Sequence, residues 1–203
     1  MAKIFIIMGK SATGKDTIYK RLLEEKELNL KTVVMYTTRP IRNGECDGVE
    51  YHFVNEETLN KLKDQNKVIE HRFYNTTQGI WHYFTVNDGQ INLEYNDYLM
   101  IGTLETYLQI REYFGYEKVV PLYLEVDDEA RLLRSIQREK KQIPPNFAEV
   151  CRRYLADEED FSESNLEKCG IKKRYKNIDI DQCLEAIIQD MKNITVNKNK
   201  PMV

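Results

Sequence analysis

The chain carries no apolar run of secretory or membrane length at its start: "KIFIIM" is cut off by Gly9, too short for a signal-peptide core and far too short for a membrane span. It has no fixed-period repeat and no low-complexity segment, so a solenoid or array is not expected. Its four cysteines, Cys46, Cys151, Cys169 and Cys183, show no CxxC or Cys/His spacing. A disulfide framework and a zinc site are therefore set aside, and the thiols read as reduced ones in a cytoplasmic protein. Three histidines, His52, His71 and His82, match no metal spacing, and two sit among aromatics in "YHF" and "WHY". Packing or surface roles suit them better than ligation or base chemistry. A formal net charge of −3 leaves no global basic field, so neither nucleic acid nor membrane is expected as a partner.

What is present is 203 residues, enough for one domain with a sizeable core or one core carrying inserted subdomains. Short apolar runs alternate with amphipathic stretches. "KIFIIM", "KTVVMYT", "YLMIG" and "VVPLYLEV" read as buried strands; "DTIYKRLLEE", with Ile18, Leu22 and Leu23 on one face, and "LETYLQIREYF" read as helices. Strands without polar alternation, joined by helices, predict an α/β fold with about five mainly parallel strands covered on both faces. Two regions break the rhythm. Residues of about 36–90, with turn-rich "RPIRNGECDG" and the short runs "EYHFV" and "VIEHRFY", read as an inserted β-rich lobe. A basic helical stretch from Arg131 to Arg153, broken by "IPPN", reads as a mobile lid over about 134–153. The expected organisation is a single domain over 1–193, with its core in 1–35 and 97–193 and a flexible polar tail at 194–203.

Gly9-Lys10-Ser11-Ala12-Thr13-Gly14-Lys15 satisfies G-x-x-x-x-G-K between a strand and a helix. In that setting, backbone N–H groups of the loop and helix start converge on a polyphosphate, and Lys15 reaches its β- and γ-phosphates. Gly9 and Ser11 to Thr17 are thus the expected ATP-binding set. An accidental lysine in a glycine-containing turn is the bland alternative. Asp16 stands where a Ser or Thr usually follows the lysine. It suits the helix dipole, and it could also face magnesium directly or through water; Thr17 still offers a hydroxyl. Arg39 and Arg42, in a turn-rich segment, could clamp a second anion through paired guanidinium donors, although an isolated "RPIR" is more simply a solvated turn.

In order, the P-loop, "YTTRPIRNGECDGVEYHFV", "VIEHRF" and the arginine-bearing flap resemble the guanylate kinase family. The middle segment follows the family's S-x-T-T-R-x-x-R-x-G-E-x-x-G-x-x-Y-x-F signature at nearly every fixed position, and the resemblance runs from about Ile4 to Ile188. It implies a P-loop three-layer fold, with small-molecule nucleotides as partners of a monomer or homodimer. Arg39, Arg42 and Tyr51 match the residues holding the acceptor's monophosphate, and Glu45 falls on the glutamate of the same loop. Glu70 matches the glutamate that accepts from the guanine N1 and N2 edge. Tyr83 and Thr85 match the tyrosine and hydroxyl residue of Y-G-[ST]. Arg134, Arg138 and Arg153 match lid arginines that offset charge on the transferring phosphoryl group.

The departures lie on the acceptor side. Phe84 replaces the glycine of Y-G-[ST] and is expected to put bulk beside the base pocket. Ile101 and Thr103 replace an Asp-x-Asp pair, with Glu105 nearby, and Met35 replaces the first serine. The implied reaction is magnesium-dependent transfer of the ATP γ-phosphoryl group to GMP. Two alternatives stay open: a related kinase for another nucleotide or a ribose bisphosphate, and a non-catalytic binding module. Trp81 with Tyr74, Tyr83 and Phe84 reads as lobe core before a base-stacking platform, and "ADEEDF" reads as a solvated face.

Overall fold

A computed structural model of the chain describes residues 2–76 and 79–196. The chain enters through β1 (Ile4–Met8), turns into α1 (Lys15–Glu24) and returns as β2 (Lys31–Thr32). It then leaves the core as β3 (Tyr36–Thr37), β4 (His52–Phe53), α2 (Glu56–Asp64), β5 (Val68–Thr76) and β6 (Gly79–Val86). Back in the core it forms β7 (Tyr98–Ile101), α3 (Leu104–Phe114) and β8 (Val119–Glu125). The remainder is α4 (Asp128–Glu139), α5 (Phe147–Asp160), the short α6 (Glu163–Lys168), β9 (Arg174–Lys176) and α7 (Ile180–Val196).

Five strands pair in the order β2-β7-β1-β8-β9, all parallel. β1 is buried at every position, and its alternate side chains feed opposite layers. Phe5 and Ile7 pack with Ile18 and Leu22 of α1 and Leu184, Ile187 and Met191 of α7. Ile4, Ile6 and Met8 pack with Leu104, Tyr107 and Ile110 of α3 and with Phe161. The result is helix, sheet, helix, each fully buried aliphatic chain contributing about 1.5–3 kcal/mol. The C-terminal ends of β1 and β8 lead into the P-loop and α4, which sets the site at the carboxyl edge of the sheet.

The stretch "KTVVMYT" is not one strand. Lys31–Thr32 joins β7 in the core, whereas Tyr36–Thr37 pairs with β4 and β6 in a second sheet of order β4-β3-β6-β5. One run therefore links core and lobe. The lobe helix α2 starts at Asn55, whose side chain accepts from the Thr58 N–H at 2.9 Å, an N-cap. It buries Leu59 against Phe84 and Val86. Strand alternation places Phe84 on this face, away from Tyr83 and Thr85, so its bulk fills the lobe core and not the base pocket. At the far end, 194–196 continue α7 and do not begin a tail; 197–203 lie outside the described residues. No helix among the described residues is long and apolar enough to cross a membrane.

Candidate functional site

The P-loop runs from the end of β1 straight into α1. Two glycines are required by close approach: a Cβ on Gly9, at φ 149°, would lie 2.5 Å from the Leu124 carbonyl oxygen, and one on Gly14, at φ 89°, would lie 2.5 Å from Asn177 Nδ2. Gly14 caps α1 without a side-chain partner, so the helix's first N–H groups are left for an anion. Lys15 Nζ donates to the carbonyls of Gly9 at 2.6 Å and Lys10 at 2.9 Å. Burial pushes its pKa down, while Asp157 and Asp16 pull it up. Thr13 is buried; its hydroxyl donates to the Lys10 carbonyl at 2.8 Å, and its own carbonyl accepts from Asn177 at 2.8 Å.

Ala12, Gly14, Lys15, Asp16 and Thr17 line a cavity of about 490 Å³ together with Arg134 and Arg138 of α4 and with Asn177, Ile178 and Ile180. The loop and two arginines of α4 thus share one opening. Arg153 does not line it; this side chain is 55% exposed and donates to Glu149 at 2.7 Å. Asp16 and Thr17 are exposed at the cavity, and no three His, Cys, Asp or Glu residues among those described form a metal cluster. A carboxylate and a hydroxyl beside a phosphate cradle fit magnesium, which keeps most of its waters and takes few protein oxygens.

The acidic run "ADEEDF" is divided: Glu159 and Asp160 are exposed, as expected of a solvated face, but Asp157 and Glu158 turn toward the loop. Asp157 Oδ2 accepts from the Ser11 N–H at 2.7 Å. Glu158 accepts from Lys10 Nζ at 2.6 Å and pairs with Arg131. Arg131 is 1% exposed, holds Asp128 at 2.8 Å, and stacks over the Tyr154 ring at 4.8 Å. Phe161 is buried in the core. Charges at this depth persist because each is paired and hydrogen-bonded. Arg131, Asp157, Glu158 and Asn177 were not singled out from the sequence. Their partners are over a hundred residues away, except within α4 and α5, so no local pattern marks them.

In the lobe, Arg39 is buried beneath Tyr51 and Phe53, 5.2 Å from each ring centre. Its two terminal nitrogens donate to the two oxygens of Glu45 at 2.7 and 2.6 Å, and that hydrogen bonding holds the Glu45 carboxyl down at about 2. Glu45 also accepts from the Arg42 N–H at 2.8 Å, with Arg42 itself exposed. Glu45 therefore braces the loop that presents both arginines. Glu70 is 1% exposed and paired with Arg72 at 2.7 Å. Thr85 donates to it at 3.3 Å, and Tyr83 packs edge-on against Tyr51, centroids 5.6 Å apart. Desolvation raises the Glu70 pKa against the pull of Arg72. Thr103 is the N-cap of α3, accepting from the Thr106 N–H at 3.2 Å, while Glu105 accepts from Gln109 at 3.2 Å. Neither reaches Glu70 by a hydrogen bond.

The guanylate kinase family model matches residues 1–79. Over 68 residues, 33% of this chain, it is 46% identical to a guanylate kinase of Zymomonas mobilis, covering 31% of that protein. Over 83 residues, 38% of this chain, it is 42% identical to one of Neisseria gonorrhoeae, covering 40% of that protein. The aligned stretches thus span only about a third of the length of these curated relatives. Beyond residue 79 the likeness is one of fold: the crystal structure of guanylate kinase from Anaplasma phagocytophilum matches at a TM-score of 0.62 and 20% identity, covering 98% of this chain and 87% of that one. Over its first 79 residues the chain is thus similar in sequence to guanylate kinases, and along nearly its whole length it shares the fold of one.

Proposed function

We propose that this protein is a nucleoside monophosphate kinase that transfers the γ-phosphoryl group of ATP to GMP, giving GDP, with magnesium. The observation that carries this reading is the shared cavity in which Lys15, Arg134 and Arg138 face the uncapped start of α1. Phosphoryl transfer asks little covalent chemistry of a protein; it needs two phosphates in line, water excluded and negative charge offset. Loop N–H groups and Lys15 bind and orient the donor phosphates. Arg134 and Arg138, on a helix that can close, offset charge on the group in flight. Magnesium, held by Asp16, Thr17 and waters, would supply further neutralisation of the β- and γ-phosphates. Arg39, Arg42 and Tyr51 are assigned to the acceptor's phosphate, with Glu45 bracing the two arginines. Glu70 is assigned to its base, with Thr85, Tyr83 and Thr103 shaping the pocket around it.

The test is a coupled assay of ATP consumption with magnesium, offering GMP, AMP, CMP, UMP, dTMP and ribose 1,5-bisphosphate. Turnover on GMP that disappears in Lys15→Ala is the expected result. Turnover on a different acceptor would retain the kinase and reassign the pocket. ATP binding without turnover on any of them would overturn the reading in favour of a binding module.

A further inference from the structure

Two charged side chains lie side by side, nearly sealed, on β5: Glu70 at 1% exposure and Arg72 at 7%. Arg72 Nη1 donates to Glu70 Oε1 at 2.7 Å and to Thr106 Oγ1 at 2.5 Å. Thr85 donates to the same Oε1 at 3.3 Å. Glu70 Oε2, equally buried, has no hydrogen-bond partner among the described residues. Arg72 Nη2 is hydrogen-bonded to the sulfur of Met35 at 3.8 Å, a weak acceptor, and the guanidinium also hydrogen-bonds the Tyr74 side chain. Native proteins seldom leave a buried charged oxygen unpartnered, and a missing ligand is one standard reason when they do. What the pair offers a ligand is one acceptor, Oε2, beside one donor, Nη2.

We propose that Arg72 is a specificity-determining residue of the acceptor site, reading the oxo group of a 6-oxopurine while Glu70 reads its ring N–H, so that hypoxanthine nucleotides are accepted alongside guanine nucleotides. This rests on the placing of the acceptor base at Glu70 under the kinase reading. A carboxylate with both oxygens open matches two adjacent N–H donors, N1 and the 2-amino group of guanine. Here Oε1 is taken by Arg72 and Thr85, leaving one oxygen for one N–H. A guanidinium has no acceptor, so it cannot face the 2-amino group; the neighbour of N1–H that it can face is O6. Hypoxanthine presents the same O6 and N1–H. Adenine in that orientation reverses both, turning an amino group toward Arg72 and a lone pair toward Glu70. Where a second carboxylate would meet the 2-amino group stands Thr103, which caps α3, while Glu105, close enough to act on Glu70 electrostatically, has one oxygen bonded to Gln109. Both groups are sealed in this structure, so the base reaches them as surrounding side chains give way, Tyr83 among them, its ring 5.7 Å from the guanidinium carbon.

The experiment measures kcat/KM of the wild-type protein with GMP, IMP and AMP, then the same ratios in Arg72→Met and Arg72→Lys. IMP is expected within about tenfold of GMP, with AMP far below both; a site built to bond the 2-amino group would reject its absence by about 10⁴-fold. An IMP penalty of that size in the wild type would overturn the proposal without any variant having to fold. In Arg72→Met, which leaves Oε1 only its long bond from Thr85, the preference for GMP over IMP should widen at least tenfold; in Arg72→Lys it should move less. These are ratios within one preparation, so the folded fraction cancels. Equal losses on GMP and IMP in both variants would assign Arg72 a purely structural role and overturn the proposal. Failure to phosphorylate any nucleotide would instead overturn the kinase reading, and this proposal with it.

Discussion

At the scale of single residues, the arginines divide by reach. Arg134 and Arg138 line the donor cavity, whereas Arg153 is held outward by Glu149. Removing a preorganised donor that meets developing charge costs about 10²–10³ in kcat. Arg134→Ala and Arg138→Ala are therefore expected in that range, with ATP affinity changed only a few-fold, and Arg153→Ala well short of it. Steady-state kcat checks this; a loss at Arg153 equal to that at Arg138 would mean that α5 turns that side chain inward during turnover. A second residue-scale prediction concerns His71 and His82, whose Nε2 and Nδ1 atoms are 2.8 Å apart. Burial pushes His71 down to about 4 and lowers His82 as well; Lys63 presses both the same way, and Glu56 opposes at His82. Their folded pKa values lie below the unfolded value of about 6.5. The neutral pair's contribution is therefore complete above that pH and lost as pH falls toward 4. Solvent screening at these partly exposed rings limits it to on the order of 1–2 kcal/mol. Glu45 and Glu149, both held at about 2, titrate below the window between pH 7.5 and 5. A higher urea midpoint at pH 7.5 than at pH 5 is expected, flattened in a His71→Gln, His82→Gln variant. An unchanged slope there would place the pH dependence elsewhere.

At the scale of elements, α5 is the helix that carries negative charge into the donor loop. Asp157 accepts the Ser11 N–H and stands near Lys15, and Glu158 holds Lys10. A carboxylate so placed weakens the field that attracts phosphates. Asp157→Asn keeps the shape and an acceptor while removing the charge, so the KM for ATP is expected to fall about three- to tenfold at low salt and less at high salt. Titration of KM against ionic strength decides it: a KM that rises in the variant would make Asp157 a brace for the loop. This helix also shows where the sequence stops being readable. The P-loop was legible because strand, glycine spacing and helix are all local. Arg134 and Arg138 were legible because four residues bring two side chains to one helix face. "ADEEDF" looked solvated because its partners come from distant chain. β9 went unread because only Tyr175 of its three residues is buried. The division of "KTVVMYT" between two sheets leaves no mark on an unbroken apolar run. Phe84 lies in the lobe core, as its aromatic neighbourhood suggested; bulk beside the base pocket was expected only because its loss of a family glycine was weighed before the alternation of its own strand.

At the scale of the whole molecule, lobe and core are joined by two chain crossings, from Thr32 to Tyr36 and from Val86 to Tyr98, and by a seam of α3 against β5. That seam is both polar and apolar: Gln109 accepts from the His71 N–H at 2.9 Å and donates to the His71 carbonyl at 3.3 Å, Thr106 accepts from Arg72, and Ile69 shares a buried cluster with Leu104 and Tyr107. Under the proposed function, donor residues sit on the core and α4, and acceptor residues sit on the lobe. On that reading substrates stabilise different parts, and the lobe is expected to close only when its own ligand is present. A non-hydrolysable ATP analogue at about 100 times its Kd adds about 2.7 kcal/mol to the folded state, or about 5–10 °C in Tm for a chain of this size. Hydrogen exchange locates that gain, because slowed amides report the segments whose opening a ligand suppresses. The analogue alone should protect the P-loop, α1 and α4 and leave β5, β6 and α2 nearly unchanged. Adding GMP should extend protection across the lobe and into the α4–α5 connection. If the analogue alone protects the lobe as fully as both ligands do, the α3–β5 seam is rigid, core and lobe move as one body, and closure by the acceptor is excluded.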